Sequence, residues 1–394
     1  MVLDVNRATA AAARLAALRE HVGVPGIVLT TPGNVAWLTG GANTPIDRGA
    51  TTDVIWAVAT PDHIAIITTE VEAPRLADEA AFGSLGWPIH AVPWWEPAMF
   101  VAKAEAIAGV HADRLAADGH PAFGLDLAVH LVRTRMALTP PDVAALARLG
   151  TDAAAAVSAA LRAWQPGDTD RTIAARIAAD LEEVGAFPTV LLVGGDDRLQ
   201  RYRHPVTVGA PLHDVVMTVL VAVRGGLHVA LTRYAARTPP PTEWRDRLNA
   251  VRRIHRAVLD ACWPGRTVGA ALQALAAAYA AEGAPDAWRQ HYQGGPIAYA
   301  QREYELAPVQ TTDQWWSHVL TSDTAVAWNP SLPGGAKDED TYLITPAGPR
   351  LLTTCTEWPM TNDDVPRPDV WVIDGTPPSG ERQQQPLPIG TSPP

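Results

Sequence analysis

The sequence predicts an α/β unit followed by a larger α+β unit, and three observations carry that prediction. A chain of 394 residues is too long for one compact core. Residues 1–138 alternate helix and strand patterns, whereas beyond residue 139 long helices and antiparallel strand patterns segregate. Between the two stands Leu138-Thr139-Pro140-Pro141, a helix start with Thr139 as natural N-cap and prolines where a first turn tolerates missing N–H donors.

The first unit opens on an Ala-rich amphipathic stretch with Leu15, Leu18 and Val22 on one side. Residues 26–30 read as a short strand, and residues 54–59 and 63–68 flank the turn Thr60-Pro61-Asp62 as a hairpin. Helix returns over residues 71–79. In the second unit the helix beginning at Thr139 is followed by the turn Pro166-Gly167-Asp168 and a helix over 172–184. Strands are expected at 189–193, 215–223 and 227–232, helices at 243–262 and 268–282, and closing strands at 325–329 and 341–345. From residue 361 eight prolines fall within 34 residues, together with Gln383-Gln384-Gln385. Such a segment buries too little apolar surface to order itself, so it is expected to be flexible or laid along the surface. The expected organisation is therefore domains at 1–138 and 139–360 and a tail at 361–394.

Composition excludes several classes of function. Hydrophobic residues make up 47% and charged residues 19%, ordinary values for a folded protein. Cys262 and Cys355 lie in no CxxC or Cys/His cluster, so neither a disulfide framework nor a zinc site is expected, and a reducing cytoplasm fits best. The opening residues lack a signal peptide's unbroken apolar core, and no long apolar run suggests a membrane span. A net charge of −11 without arginine runs argues against a nucleic-acid partner. The only lysines are Lys103 and Lys337, a scarcity read as coding bias of a GC-rich genome. The pairs Gly194-Gly195, Gly225-Gly226 and Gly294-Gly295 form neither GxGxxG nor a P-loop, and no GxSxG occurs, so nucleotide binding and serine hydrolysis are not indicated.

Four segments resemble, in order, the creatinase, prolidase and aminopeptidase P ("pita-bread") family. Residues 26–41 (GIVLTTPGNVAWLTGG) look like the start of its N-terminal domain. The helix from Leu138 resembles the opening of its catalytic domain, DDRLQRYRHP places His204 where the family keeps an active-site histidine, and KDEDTYLITPAGPRLLT is similar to its closing strand and hairpin. The resemblance implies a catalytic domain with a curved antiparallel sheet covered by helices, behind a smaller α/β domain. It also implies a homodimer in which the loop 43–53 reaches over the partner's site.

The family's peptidases hold two metals through Asp, Asp, His, Glu and Glu, because hard cations need several converging carboxylates. Registered on Leu231-Thr232-Arg233, those positions become Val219, Ala230, Gly295, Asn329 and Glu339. Only the last keeps a ligand, so no metal and no cofactor is expected. The stretch IAYAQREYEL also resembles creatinase, the family member that breaks a C–N bond without metal.

Each candidate residue has a plain alternative. His204, in a polar segment, suits proton transfer near neutral pH but could cap a turn. Glu339 should face opposite to Asp338 and Asp340, the latter two being a solvated turn. Glu303 and Arg302 are adjacent and cannot both face one cavity on a strand. His291 matches a histidine near the family's cavity mouth, and Arg233 suits an ion pair. Tyr299 lies in the creatinase-like loop. Among fourteen tryptophans, Trp37 and one each of Trp94-Trp95 and Trp315-Trp316 are candidates for an aromatic pocket.

Three functions follow as expectations. One is a metal-independent hydrolase or lyase of a C–N bond in a small molecule, with His204 as general acid/base and Glu339 and Glu303 as its acidic partners. Arg302, His291, Arg233, Tyr299 and Trp37 would then bind substrate. The alternatives are a catalytically silent ligand- or peptide-binding protein and a divergent Xaa-Pro aminopeptidase.

Overall fold

The computed structural model describes residues 3–42, 44–363 and 366–373. The first unit is built on a six-stranded mixed sheet, whose central strand Ile27–Leu29 pairs antiparallel with Trp56–Ala59 and parallel with Ala116–Ala117. The hairpin Trp56–Ala59/Ile64–Thr69 forms as the alternating pattern predicts. The helix Val5–Val22 packs Ala8, Ala11 and Leu15 inward. Residues 32–38 form the short helix Pro32–Leu38, and its fully buried Trp37 sits in the core.

Thr139 caps the helix Pro140–Arg162 reciprocally with Asp142, as the Thr-Pro-Pro signal requires. Among the described residues this is the one helix long and apolar enough to cross a membrane. Its apolar face packs on the strand Leu227–Ala236. The helix Asp170–Glu183 covers the neighbouring strand Phe187–Gly195.

Two four-stranded sheets carry the second unit. One runs Trp371–Val372, Leu227–Ala236, Val215–Arg224, Phe187–Gly195, and the other runs Gly294–Pro296, Ala325–Trp328, Asp340–Thr345, Gly348–Leu351. They join along Leu227–Ala236, where the Thr232 amide donates to the Glu339 carbonyl at 2.9 Å and the Ala230 amide to Thr341 Oγ1 at 2.8 Å. The helices Thr242–Asp260 and Val268–Ala281 pack together and back the second sheet.

The first part of the proline-rich segment is ordered into the fold. Trp371–Val372 adds a parallel strand beside Ala235 and Ala236, and Arg367 is buried against Asp338 at 2.7 Å. An added strand supplies the backbone partners that composition did not promise; residues 374–394 lie outside the described residues. The loop 44–53 folds onto its own chain, with Arg48 paired to Glu182 and stacked over the Phe187 ring. Residue 43 is outside the described residues.

Candidate active site

The strands Phe187–Gly195 and Val215–Arg224 present Val190, Leu192, Val219 and Val221 to one face, and this apolar floor meets the end of the strand beginning at Asp340. A cavity of about 320 Å³ lies there, walled also by His204, Tyr292, Gln301, Arg302, Glu305, Asn329, Lys337 and Glu339. His204, Tyr292 and Glu305 are shared with an outer hollow of about 510 Å³, which makes them the rim.

Strand alternation sorts the three acids of the closing strand. Glu339 enters the cavity, Asp338 turns the other way onto His255 Nδ1 and Arg367 at 2.7 Å each, and Asp340 takes Arg233 at 2.8 Å. All three are buried, so Asp338 and Asp340 are not the solvated turn the sequence suggested: each has a cation to offset its desolvation.

Glu339 is held on both oxygens. Lys337 Nζ lies 2.9 Å from Oε2, Thr232 Oγ1 donates to Oε2 at 2.9 Å, and Asn329 Nδ2 donates to Oε1 at 3.2 Å. The Arg302 guanidinium stands 3.6 Å from Oε1. Although burial alone would raise the pKa of Glu339, Lys337 and Arg302 bring it down to about 2. Burial lowers the pKa of Lys337, and Glu339 opposes that shift.

His204 sits exposed on the rim, and its Nε2 is 3.1 Å from Nε2 of buried His291. Gln293 fixes this partner by donating Nε2 to the His291 carbonyl at 2.6 Å, and Tyr279 in turn donates to Gln293 Oε1 at 3.0 Å. Desolvation, with Lys337 nearby, lowers both imidazoles, His291 to about 3. Both are therefore neutral at pH 7, and their contact is a single N–H···N hydrogen bond in which one Nε2 donates and the other accepts, according to tautomer. Two buried atoms of this site, Asn329 Oδ1 and His291 Nδ1, have no hydrogen-bond partner among the described residues.

The structure thus brings His204, His291, Arg302, Glu339, Val219 and Asn329 together and places other candidates elsewhere. Glu303, expected as a catalytic acid, faces away: its Oε2 accepts from Arg135 Nε at 2.9 Å and its Oε1 from the Tyr299 amide at 2.7 Å. Of the adjacent pair, Arg302 is the residue that lines the cavity. Tyr299 donates its hydroxyl to Asp142 at 2.7 Å and accepts from Arg7 at 2.9 Å, outside the cavity. Arg233 donates to the Thr353 carbonyl and pairs with Asp340 behind the strand. Trp37 is core, Trp94 and Trp95 are exposed, and Trp315 stacks on Tyr304. Sequence reading missed Lys337, although its spacing of two from Glu339 already put both on one face.

The profile of Metallopeptidase family M24 matches residues 145–346. No curated protein matches the chain in sequence. In fold it is similar to the dipeptidase PepE of Mycobacterium ulcerans, with a TM-score of 0.73 at 21% identity over 95% of this chain and 100% of that one. It is similar also to an X-Pro aminopeptidase of Thermotoga maritima, with a TM-score of 0.70 at 14% identity over 92% of this chain and 99% of that one. The N-terminal domain of the FACT complex subunit SPT16 from Cicer arietinum matches with a TM-score of 0.63 at 12% identity over 89% and 97%.

A metallopeptidase family implies divalent metal, and the residues present do not fit one. Val219, Ala230 and Gly295 offer no side-chain donor, and Gly295 adopts φ 146°, a conformation in which an L side chain is strained. Among the described residues no three His, Cys, Asp or Glu side chains converge as a metal site, and the carboxylate of Glu339 is already taken by Lys337. By its match over residues 145–346 and its pita-bread architecture behind an N-terminal domain, the chain belongs to Metallopeptidase family M24.

Proposed function

We propose that this chain is a metal-independent hydrolase or lyase acting on a C–N bond of a small molecule. The observation that supports it is Lys337: a resident ammonium group neutralises Glu339 in the cavity where the family's peptidases concentrate carboxylates for metal. A protein cation carried on the chain does the charge balancing that an ion would otherwise do.

Proton transfer then falls to the histidine pair. Neutral His204, on the rim and within reach of solvent, takes a proton from the attacking water and returns it to the leaving nitrogen as the C–N bond breaks. His291 orients His204 through their 3.1 Å contact. Asn329 Oδ1, buried and without a partner, is an acceptor for an N–H of the substrate. Arg302 supplies a guanidinium beside it, and Glu303 and Tyr299 have no part in the chemistry.

The test is elemental analysis of protein purified without chelator, followed by assay with and without EDTA. Well under one equivalent of manganese, cobalt, zinc or iron and unchanged turnover are expected. Stoichiometric metal removed by EDTA together with activity overturns the reading.

A further inference from the structure

The outer hollow of about 510 Å³ adjoins the cavity at the residues they share, His204, Tyr292 and Glu305. Arg203, next in sequence to His204, stands in the hollow's wall with its side chain half-buried. Its partners are neutral: Nη1 donates to Ser331 Oγ at 3.2 Å and Nη2 to Gln290 Oε1 at 3.0 Å. Among the described residues no carboxylate pairs with it, and burial without such a partner lowers its pKa. Ser331 is itself buried in the strand Ser331–Leu332, and its amide donates to the Tyr279 hydroxyl at 2.9 Å. One of the two groups that hold Arg203 is therefore fixed from the interior.

Charge in the joined space is uneven. Its cations are Lys337, Arg302 and Arg203, and its carboxylates are Glu339 and Glu305. Lys337 meets Glu339 at 2.9 Å, while Arg302 stands 3.6 Å from Glu339 and is the cation that acts on Glu305. Arg289, also in the hollow's wall, is paired with Asp286 at 3.1 Å. Both histidines are neutral. One positive charge is left over, on Arg203, in a chain whose net charge is −11. A guanidinium that has lost part of its hydration without gaining a carboxylate lacks one charge-assisted pair, and a monoanion supplies it. An ammonium group would add to the surplus, and Glu339, occupied by Lys337, has no place for one.

Resting on the reading of the cavity as the active site, we propose that the outer hollow is a subsite for a carboxylate, and that the substrate is an amide carrying one such group and no amine. The carboxylate meets Arg203, the amide lies at His204, and its N–H reaches Asn329 Oδ1, which has no partner among the described residues. Hydrolysis places the water's hydroxyl on the acyl carbon and a proton on the departing nitrogen, and leaves the carboxylate unchanged at Arg203.

Calorimetric titration of the full chain with the monoamides of succinic, glutaric and adipic acid tests this, because the three set the carboxylate at increasing distance from the amide. Each is compared with its uncharged diamide and with the ω-amino amide of equal chain length, which carries an ammonium group instead. At one chain length or more the acid should bind at least about tenfold more tightly than the diamide, the ordinary worth of a charge-assisted pair, and the amino amide should bind weakest. Arg203→Gln should erase the acid's advantage, and Arg203→Lys should keep part of it. Acid and diamide binding alike at every length, or no binding by any member, overturns the proposal from the wild-type protein alone, whatever the variants do. An advantage that survives Arg203→Gln in a folded variant and vanishes in Arg302→Gln overturns the assignment to Arg203. Preference that depends on Arg203 without release of ammonia leaves the subsite standing and sinks the hydrolase reading. Release of ammonia from acid and diamide at equal rates does the reverse.

Discussion

Two buried ionic clusters in this molecule use the same residue types to opposite ends. Where the first unit meets the second every charge is met: Arg7 donates to Asp142, Tyr299 and the carbonyls of Gly40 and Gly225, while Asp142 accepts from Thr139 and Tyr299. Arg135 closes on Glu303 and Asn34 in the same way. In the cavity, by contrast, Arg302 is loosely paired, and Asn329 Oδ1 and His291 Nδ1 have no partner. A saturated cluster holds the fold; a cluster with unused donors and acceptors awaits something from outside.

His204→Gln tests the open cluster most severely. Turnover of a substrate should fall about 100- to 10,000-fold, the ordinary contribution of general acid–base catalysis. Thermal unfolding should move by no more than about 1 kcal/mol, because the ring is exposed on the rim. A variant that keeps full activity would place the proton donor elsewhere.

Glu303→Ala probes the saturated cluster, since it strands the Arg135 guanidinium in the interior. Removing one partner of a buried pair costs about 3–5 kcal/mol, and denaturant titration should show it. A loss below 1 kcal/mol would erase the distinction between the two clusters.

Acid stability reports on the open cluster. His291 is neutral in the fold with its pKa pushed down to about 3 from an ordinary 6.5, so unfolding takes up a proton anywhere between those values and stability falls as pH drops through that window. Glu339 adds to the loss as pH falls from 4.5 towards about 2, because its ion pair favours the charged form. Unfolding midpoints measured from pH 7 to 3 should therefore decline, and His291→Gln should flatten the upper part of the decline. An unchanged slope in that variant would assign the acid sensitivity to other groups.

The smallest expected effect belongs to the helix start. Thr139→Ala removes the cap that also binds Asp142 and should cost about 1 kcal/mol in the same unfolding assay.

The helices and strands were legible because periodicity and caps act locally: Thr139 announced its helix, and the alternation around residues 54–68 announced its hairpin. Val219, Asn329 and Glu339, placed by registering the sequence on the family's resemblance, line one cavity, and strand parity is what turns Glu339 into it and Asp338 and Asp340 away. Partners were not legible. That Glu303 belongs to Arg135 depends on a contact across 168 positions, and no local pattern encodes it. Lys337 was legible in principle, because a spacing of two puts it on the same strand face as Glu339. The strand at Trp371–Val372 was not legible because pairing at a sheet edge draws on backbone hydrogen bonds, which amino-acid content does not reveal.

That added strand bears on synthesis. Asp338 and Glu339 leave the ribosome before Arg367, so in the growing chain the acid strand must wait for one of its cations, with His255 the earlier partner of Asp338. The cavity's wall is then braced only after Trp371 and Val372 have been made and have docked beside Ala235 and Ala236.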